Sequence, residues 1–366
     1  MATKTLCLRL ALLLAVASAI PGGCTRPQLE EVARLEQGPG NITVTLDERI
    51  IVSLHQFFGP RWRVVEVEPG GKLVPFPNEA WAGGKGAQSL DSVLGIQSDS
   101  RGRVWMLDNG MRGKVTPKLV AWDTRADRLA RVIHFPPPVT LPQSFLNDLA
   151  VDEHHNAVYI ADPAPGKQAA LIVVDLNTGL ARRVLQGDRS VVAEDLDLVI
   201  DGKAVEVRRK DGSTQRPRVG INPIAVDAEG RWLYYGPMHG TSMYRVPTQE
   251  LLNTSLKDAD LAKKVERYSD KPICDGISMD KAGNIYVTDL ANHAIGVIDT
   301  RRQYRLFLQD ERLSWPDAFS FGPDDKLYVV TNQLHKTAAL NPGGMAAKPP
   351  YFIFRTSARA PGMPGR

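Results

Sequence analysis

Cysteine is nearly missing from this chain: Cys7, Cys24 and Cys274 are the three in 366 residues. No Cys-x-x-Cys pair occurs, which excludes a dithiol redox motif and a cysteine-based zinc knuckle and leaves no disulfide framework. Blocks of one charge are also lacking. Charged residues make up 23%, the net charge is +4, and basic groups such as Arg208-Arg209-Lys210 stand alone. Nucleic-acid binding needs a concentrated basic face, so it is set aside. There is no Gly-x-Ser-x-Gly elbow, no His-x-x-x-His spacing, and no evident partner that would make Cys274 a nucleophile. Trp81-Ala82-Gly83-Gly84-Lys85-Gly86 lacks the ending of a phosphate loop and reads as a connector. Only one apolar run stands out, Leu10–Ile20, and it is too short to span a bilayer.

That run follows Lys4 and Arg9 and leads into Pro21-Gly22-Gly23-Cys24, the pattern of a secretory signal. Ala17-Ser18-Ala19 fits an ordinary cleavage site. Gly22-Gly23-Cys24 alternatively resembles a bacterial lipobox in which Cys24 is lipidated, although Pro21 departs from the usual aliphatic residue. Export is expected on either route, giving a secreted or periplasmic soluble protein or, on the lipobox route, an envelope-anchored one whose sole membrane contact is a lipid at Cys24. The expected organisation is a signal over 1–24, a linker over 25–40, one domain over 41–356 and a tail over 357–366.

What the sequence has in quantity is a repeat. Asp275-Gly276-Ile277-Ser278-Met279-Asp280 is followed, after a turn, by Asn284-Ile285-Tyr286-Val287-Thr288-Asp289. Asn147 to Asp152 leads likewise to Ala157–Asp162, Asn222 to Asp227 leads to Arg231–Gly236, and Leu94 to Asp99 leads to Arg103–Asp108. Asp317 to Gly322 leads to Lys326–Thr331, and a weaker first copy starts at Ile42. Each copy is a period-two strand, an Asp/Gly turn and a second strand rich in Tyr, Val and Ile. The best copy adds Ala294–Asp299 and Tyr304–Leu308 as third and fourth strands. Copies begin at 42, 94, 147, 222, 275 and 317, in steps of 52, 53, 75, 53 and 42 residues. Those steps are close to one propeller blade each. The expectation is an all-β fold, a six-bladed β-propeller of four-stranded antiparallel blades with the first strand of each nearest the axis. The long step holds a polar stretch between Gly187 and Val219, read as a surface elaboration or a lid over one end of the channel.

Several segments resemble the Yellow/major royal jelly protein family across nearly the whole mature chain. They are Leu73-Val74-Pro75-Phe76-Pro77-Asn78, Phe145-Leu146-Asn147-Asp148-Leu149, and Leu233-Tyr234-Tyr235-Gly236-Pro237-Met238 continuing through Tyr244-Arg245-Val246-Pro247-Thr248 to Leu251. The resemblance implies a propeller, and, from insect members, secretion with either dopachrome conversion or binding of small amines or sterols. A more distant resemblance, to gluconolactonase and calcium-dependent phosphotriesterase propellers, implies a metal site at the inner-strand starts. Asn147, Asn222 and Asp275 match that set, while Asn41-Ile42-Thr43 stands where those enzymes carry a glutamate. Ca²⁺ is the cofactor this implies.

Read from the residues alone, Asn147, Asn222, Asp275 and Asp317 precede inner strands and converge at one mouth, suiting a hard cation or a polar small-molecule ligand. His239 follows the second strand of blade four at the same end, a candidate acid–base group with Asp275. His293 and His335 occupy comparable loops, and Trp315 places a ring beside the mouth. Three functions follow as expectations: binding or isomerisation of a small polar or aromatic ligand, Ca²⁺-dependent hydrolysis of a lactone or phosphoester, or a non-enzymatic interaction platform.

Overall fold

The structure, a computed structural model, describes residues 27–83, 86, 88–110 and 114–366. The N-terminal segment read as a signal, with Cys24, lies outside these residues. Among them, no helix is long and apolar enough to cross a membrane.

Six four-stranded antiparallel sheets are arranged as blades, with two further two-stranded hairpins between blades three and four. The innermost strands are Pro39–Val44, Val93–Ser98, Leu149–Asp152, Ile221–Val226, Ile277–Met279 and Pro316–Phe321. Blades one to five each run from the axis outward in chain order. Blade six does not: its outermost strand is Glu30–Leu35, paired with Tyr351–Ser357. Residues 30–35, expected within a linker, therefore close the ring by tying the first described strand to the last blade.

In blades two, three and five the repeated aspartate explains why the units form the same hairpin. Asp280 Oδ1 accepts from the backbone N–H groups of Ala282 and Asn284, and its Oδ2 accepts from the Tyr286 hydroxyl at 3.1 Å. Asp99 does the same for Arg101 and Arg103 and takes the Trp105 indole N–H at 2.8 Å. Asp152 holds His154, His155 and the Tyr159 hydroxyl. One carboxylate thus fixes the turn and anchors an aromatic of the returning strand, satisfying donors that the turn would otherwise leave unpaired.

Apolar burial follows the same geometry. Each of six hydrophobic clusters bridges one pair of neighbouring blades, for example Tyr159, Leu171, Ile221 and Tyr235 between blades three and four. A blade cannot bury both faces alone, so the ring is stable only as a whole.

The seventh cluster lies elsewhere. Leu198, Ile200 and Val205, from the long step between blades three and four, pack against Met238, Leu290, Trp315 and Leu334 from the loops of blades four, five and six. The hairpins Val199–Ile200/Lys203–Ala204 and Val207–Arg208/Thr214–Gln215 belong to this segment. It lies as a lid over the end of the propeller where inner strands begin. Asp201, at its tip, is bound by His293 Nε2 at 2.7 Å.

Candidate functional site

Beneath the lid the inner strands start with polar residues. Asn222 donates from Nδ2 to both the carboxylate and the main-chain oxygen of Asp275. Asn41 Nδ2 donates to Asp148 Oδ1 at 2.7 Å. Asn332 Nδ2 donates to Asp317 Oδ2 at 2.5 Å, and Trp315 Nε1 to Asp275 Oδ2 at 2.7 Å. Three carboxyl groups, each met by an amide, thus ring the axis.

Backbone packing sets their positions. The Asp275 and Gly276 N–H groups both donate to Thr288 Oγ1, at 2.9 and 3.0 Å. Gly276 must be small, because a Cβ there would stand 2.5 Å from the Asp317 carbonyl oxygen. Gly95 likewise leaves a Cβ only 2.6 Å from the Asn147 carbonyl, whose oxygen accepts from Gly95 N–H at 2.9 Å. Replacing Gly276 by valine is expected to push blade six outward at Asp317. The cost is about 1–3 kcal/mol of stability from overpacking, readable by denaturant unfolding, with loss of whatever the ring binds.

Blade three departs from the repeat alignment. Its regular ladder begins at Leu149, and it is Asp148 that bonds Asn41 and lines the axial cavity, while Asn147 does not line it. Adjacent residues face opposite sides only in regular strand, so the motif alone does not say which of the two faces the axis. Of the expected set, Asn222, Asp275 and Asp317 lie in the ring, and Asn41 and Asp148 complete it.

Among the described residues no base balances these acids. Burial, and after it the Asp275 charge, hold Asp148 well above the ordinary carboxylate value. Asp317 is raised by the same two causes in the same order, with Asp148 contributing last. Burial pushes Asp275 from 3.8 up to about 7, against the lowering effect of the Trp315 and Asn222 hydrogen bonds. Among the described residues, the charges bearing on Asp148 and Asp317 are all carboxylates of the ring. Asn222 Oδ1, fully buried, has no partner among the described residues.

The histidines serve other contacts. His239 is buried beside the root of the lid, its Nδ1 accepting from Val219 N–H at 3.2 Å and its Nε2 unpartnered. Burial, then the Arg218 and Lys271 charges, pushes it down to about 4, so its imidazole stays neutral near pH 7. No hydrogen bond joins His239 to Asp275 among the described residues. His293 holds the lid at Asp201. His335 stacks on Trp315 at 5.9 Å between ring centroids, with both ring nitrogens buried and unpartnered, and burial holds it near 4. Trp315 is itself 2% exposed, so its ring packs under the lid and serves the site through its N–H.

The axial cavity below the ring is about 40 Å³ and is lined by Asn41, Gln97, Asp148 and Ser278, with Met363 and Arg366 at its far end. Roughly three waters fit such a volume, and an aromatic ligand does not unless a wall moves. No group of three His, Cys, Asp or Glu side chains among the described residues converges closely enough to enclose a metal ion. The donor set is nonetheless all oxygen, with one orphaned amide oxygen and unneutralised acids. That chemistry fits a hard cation such as Ca²⁺ held by Asn222, Asp275 and their ring neighbours together with water.

The family model described as major royal jelly protein matches residues 91–348. Major royal jelly protein 1 of Apis mellifera is 26% identical over 211 residues, 54% of this chain and 46% of that protein. Major royal jelly protein 2 of the same organism is 25% identical over 243 residues, 62% of this chain and 50% of that protein. The chain thus spans about half the length of these relatives. Among solved structures, a gluconolactonase of Xanthomonas campestris superposes with a TM-score of 0.56 at 12% identity, covering 94% of this chain and 99% of its own. A luciferin-regenerating enzyme gives 0.54 at 12% identity, covering 93% and 98%. These two likenesses show the propeller and carry no chemistry across.

Proposed function

Because this chain belongs to the major royal jelly protein family, we propose that it is an exported binding propeller whose axial ring takes a small, cation-bearing polar ligand beneath the lid. The observation that carries this is the ring of buried Asp275 and half-buried Asp148 and Asp317, with no basic side chain among the described residues to offset them. Bringing a positive charge to the ring relieves the repulsion among these carboxylates and repays part of their desolvation. An ammonium group does this, and so does a hydrated divalent ion. Asp275, held near 7, exchanges a proton at neutral pH, which is what isomerisation of a bound ligand requires of a general acid–base group. Export rests on the N-terminal signal pattern.

The orphaned Asn222 Oδ1 favours a second reading, in which the cation is Ca²⁺ and the activity is hydrolysis of a lactone or phosphoester. A bound ion there would polarise a substrate oxygen or activate a water. The protein's own part is to orient the ion through Asn222 and Asp275 and to keep bulk water out with the lid.

Calorimetric titration of the full chain with CaCl₂ and, separately, with ethanolamine hydrochloride separates the two. Binding of ethanolamine without Ca²⁺ supports the first reading, and saturable Ca²⁺ binding alone supports the second. If millimolar concentrations of both leave the heat signal and the unfolding temperature unchanged, the cation-binding role is wrong.

A further inference from the structure

The end of the channel opposite the lid is filled by the segment Pro361–Arg366, expected within a tail over 357–366. Its contacts are not those of a loose strand end. Gly365 N–H donates to the Phe321 carbonyl at 2.8 Å, and Phe321 N–H to the Arg366 main-chain oxygen at 2.7 Å, in blade six. In blade five, Ser278 Oγ donates to the Arg366 main-chain oxygen at 3.0 Å and Lys281 N–H to the Pro361 carbonyl at 2.8 Å. The Gly365 carbonyl accepts from Thr43 Oγ1 of blade one at 3.0 Å and from Ser98 N–H of blade two at 3.2 Å. Arg366 Nη2 meets Glu153, at the end of blade three, at 3.0 Å with both side chains largely buried.

The fit is steric as well as polar. A Cβ on Gly362 would stand 2.1 Å from the Phe321 ring, and one on Gly365 would stand 2.1 Å from Ser98 Oγ. Gly365 also holds φ at +87°, a conformation closed to ordinary side chains. Glycine is thus required at the two positions where the segment passes closest to the inner strands. A segment held by inner-strand groups of separate blades, with an arginine seated on a matching carboxylate, has the features of a bound peptide.

We propose that the lower mouth of this propeller is a peptide-binding site, filled in cis by Pro361–Arg366, and that this segment is the removable floor of the axial chamber. Met363, Gly365 and Arg366 line the same cavity as Asn41 and Asp148. While the segment is docked, the chamber stays near 40 Å³. Its departure joins the chamber to solvent at the lower face and makes room for a ligand larger than a few waters. The peptide site stands on its own contacts and does not depend on what the acid ring binds.

The test uses the full chain. Hydrogen–deuterium exchange over 361–366 should be slow in the wild type and at least tenfold faster in a Gly362→Val/Gly365→Val variant, which expels the segment. A synthetic peptide, Pro-Gly-Met-Pro-Gly-Arg, should then bind the variant at least tenfold more tightly than it binds the wild type. The same peptide with valine for its last glycine should fail to bind. Glu153→Gln supplies a milder variant that leaves the inner strands untouched and should also speed exchange. Fast exchange in the wild type overturns the proposal, and so does a folded variant with a freed segment that ignores the peptide. Adding Asp275→Asn to the variant should leave peptide binding unchanged, so failure here is distinguishable from failure of the cation reading.

Discussion

Asp275→Asn is expected to abolish cation binding, by at least 100-fold, while making the protein more stable at pH 8. The reasoning starts from burial. The Asp275 carboxyl is raised from 3.8 to about 7 because ionising it means leaving a charge on a side chain only 7% exposed, against the lowering effect of the Trp315 and Asn222 hydrogen bonds. A folded-state value above the unfolded one means that this group's contribution to stability is fully present below about 4 and is lost as pH rises towards 7. Over that window the loss is on the order of 4 kcal/mol, at about 1.4 kcal/mol per pH unit. Asparagine keeps the shape, cannot ionise, and gives up a charge-assisted hydrogen bond worth about 1.5–3 kcal/mol. The difference leaves the variant about 1–2 kcal/mol more stable at pH 8 and less stable than wild type at pH 4, where Asp275 is already neutral. Chemical denaturation of both proteins at several pH values between 4 and 8 checks this. A stability difference independent of pH would show that Asp275 is not the buried titrating acid. Isothermal titration completes the experiment, since a variant that still binds the wild type's ligand with unchanged affinity removes Asp275 from the site.

The trade between stability and binding also explains what was readable in advance. The six blades were legible because the propeller repeats two strands about a polar turn, and in blades two, three and five an Asp holds that turn and an aromatic on the returning strand, as in Asp280 and Tyr286. Asn222, Asp275 and Asp317 were legible as blade starts for the same reason. What lay beyond reach involves long-range pairing or broken regularity. Glu30–Leu35 looks like linker because its partner strand, Tyr351–Ser357, is at the other end of the chain. Asp148 rather than Asn147 reaches the axis where blade three has not yet become regular strand. The lower plug was hidden because Pro-Gly-Met-Pro-Gly-Arg has the composition of a disordered end, and only the inner-strand groups around it give those glycines a purpose. Its one advance signal was the pair of glycines spaced to pass two narrow points.

Trp315→Phe is expected to move the pH midpoint of ligand binding upward by about one to two units. Trp315 sits where lid and ring meet. Its backbone holds φ at +56°, rarely tolerated by a bulky residue, and the ladder of blade six is irregular between Pro316 and Phe319. That conformation delivers the indole N–H to Asp275 Oδ2 and stacks its ring on His335. Phenylalanine retains most of the packing against Leu198, Ile200 and Val205 but has no donor. The hydrogen bond favours the ionised carboxylate, so its loss raises Asp275 further, by the about 1.5–3 kcal/mol that a bond to a charged group contributes. Binding of a cation, which needs the carboxylate, should then set in above pH 8 instead of near 7. Trp315→Ala separates this effect from packing: it should cost about 3–5 kcal/mol and expose residues 195–219 to proteolysis, because the lid loses the ring beneath it. A phenylalanine variant that is well folded and binds with the wild type's pH midpoint would mean that the indole N–H does not tune Asp275. The ring's acidity would then be set by burial and by the two neighbouring carboxyl groups alone.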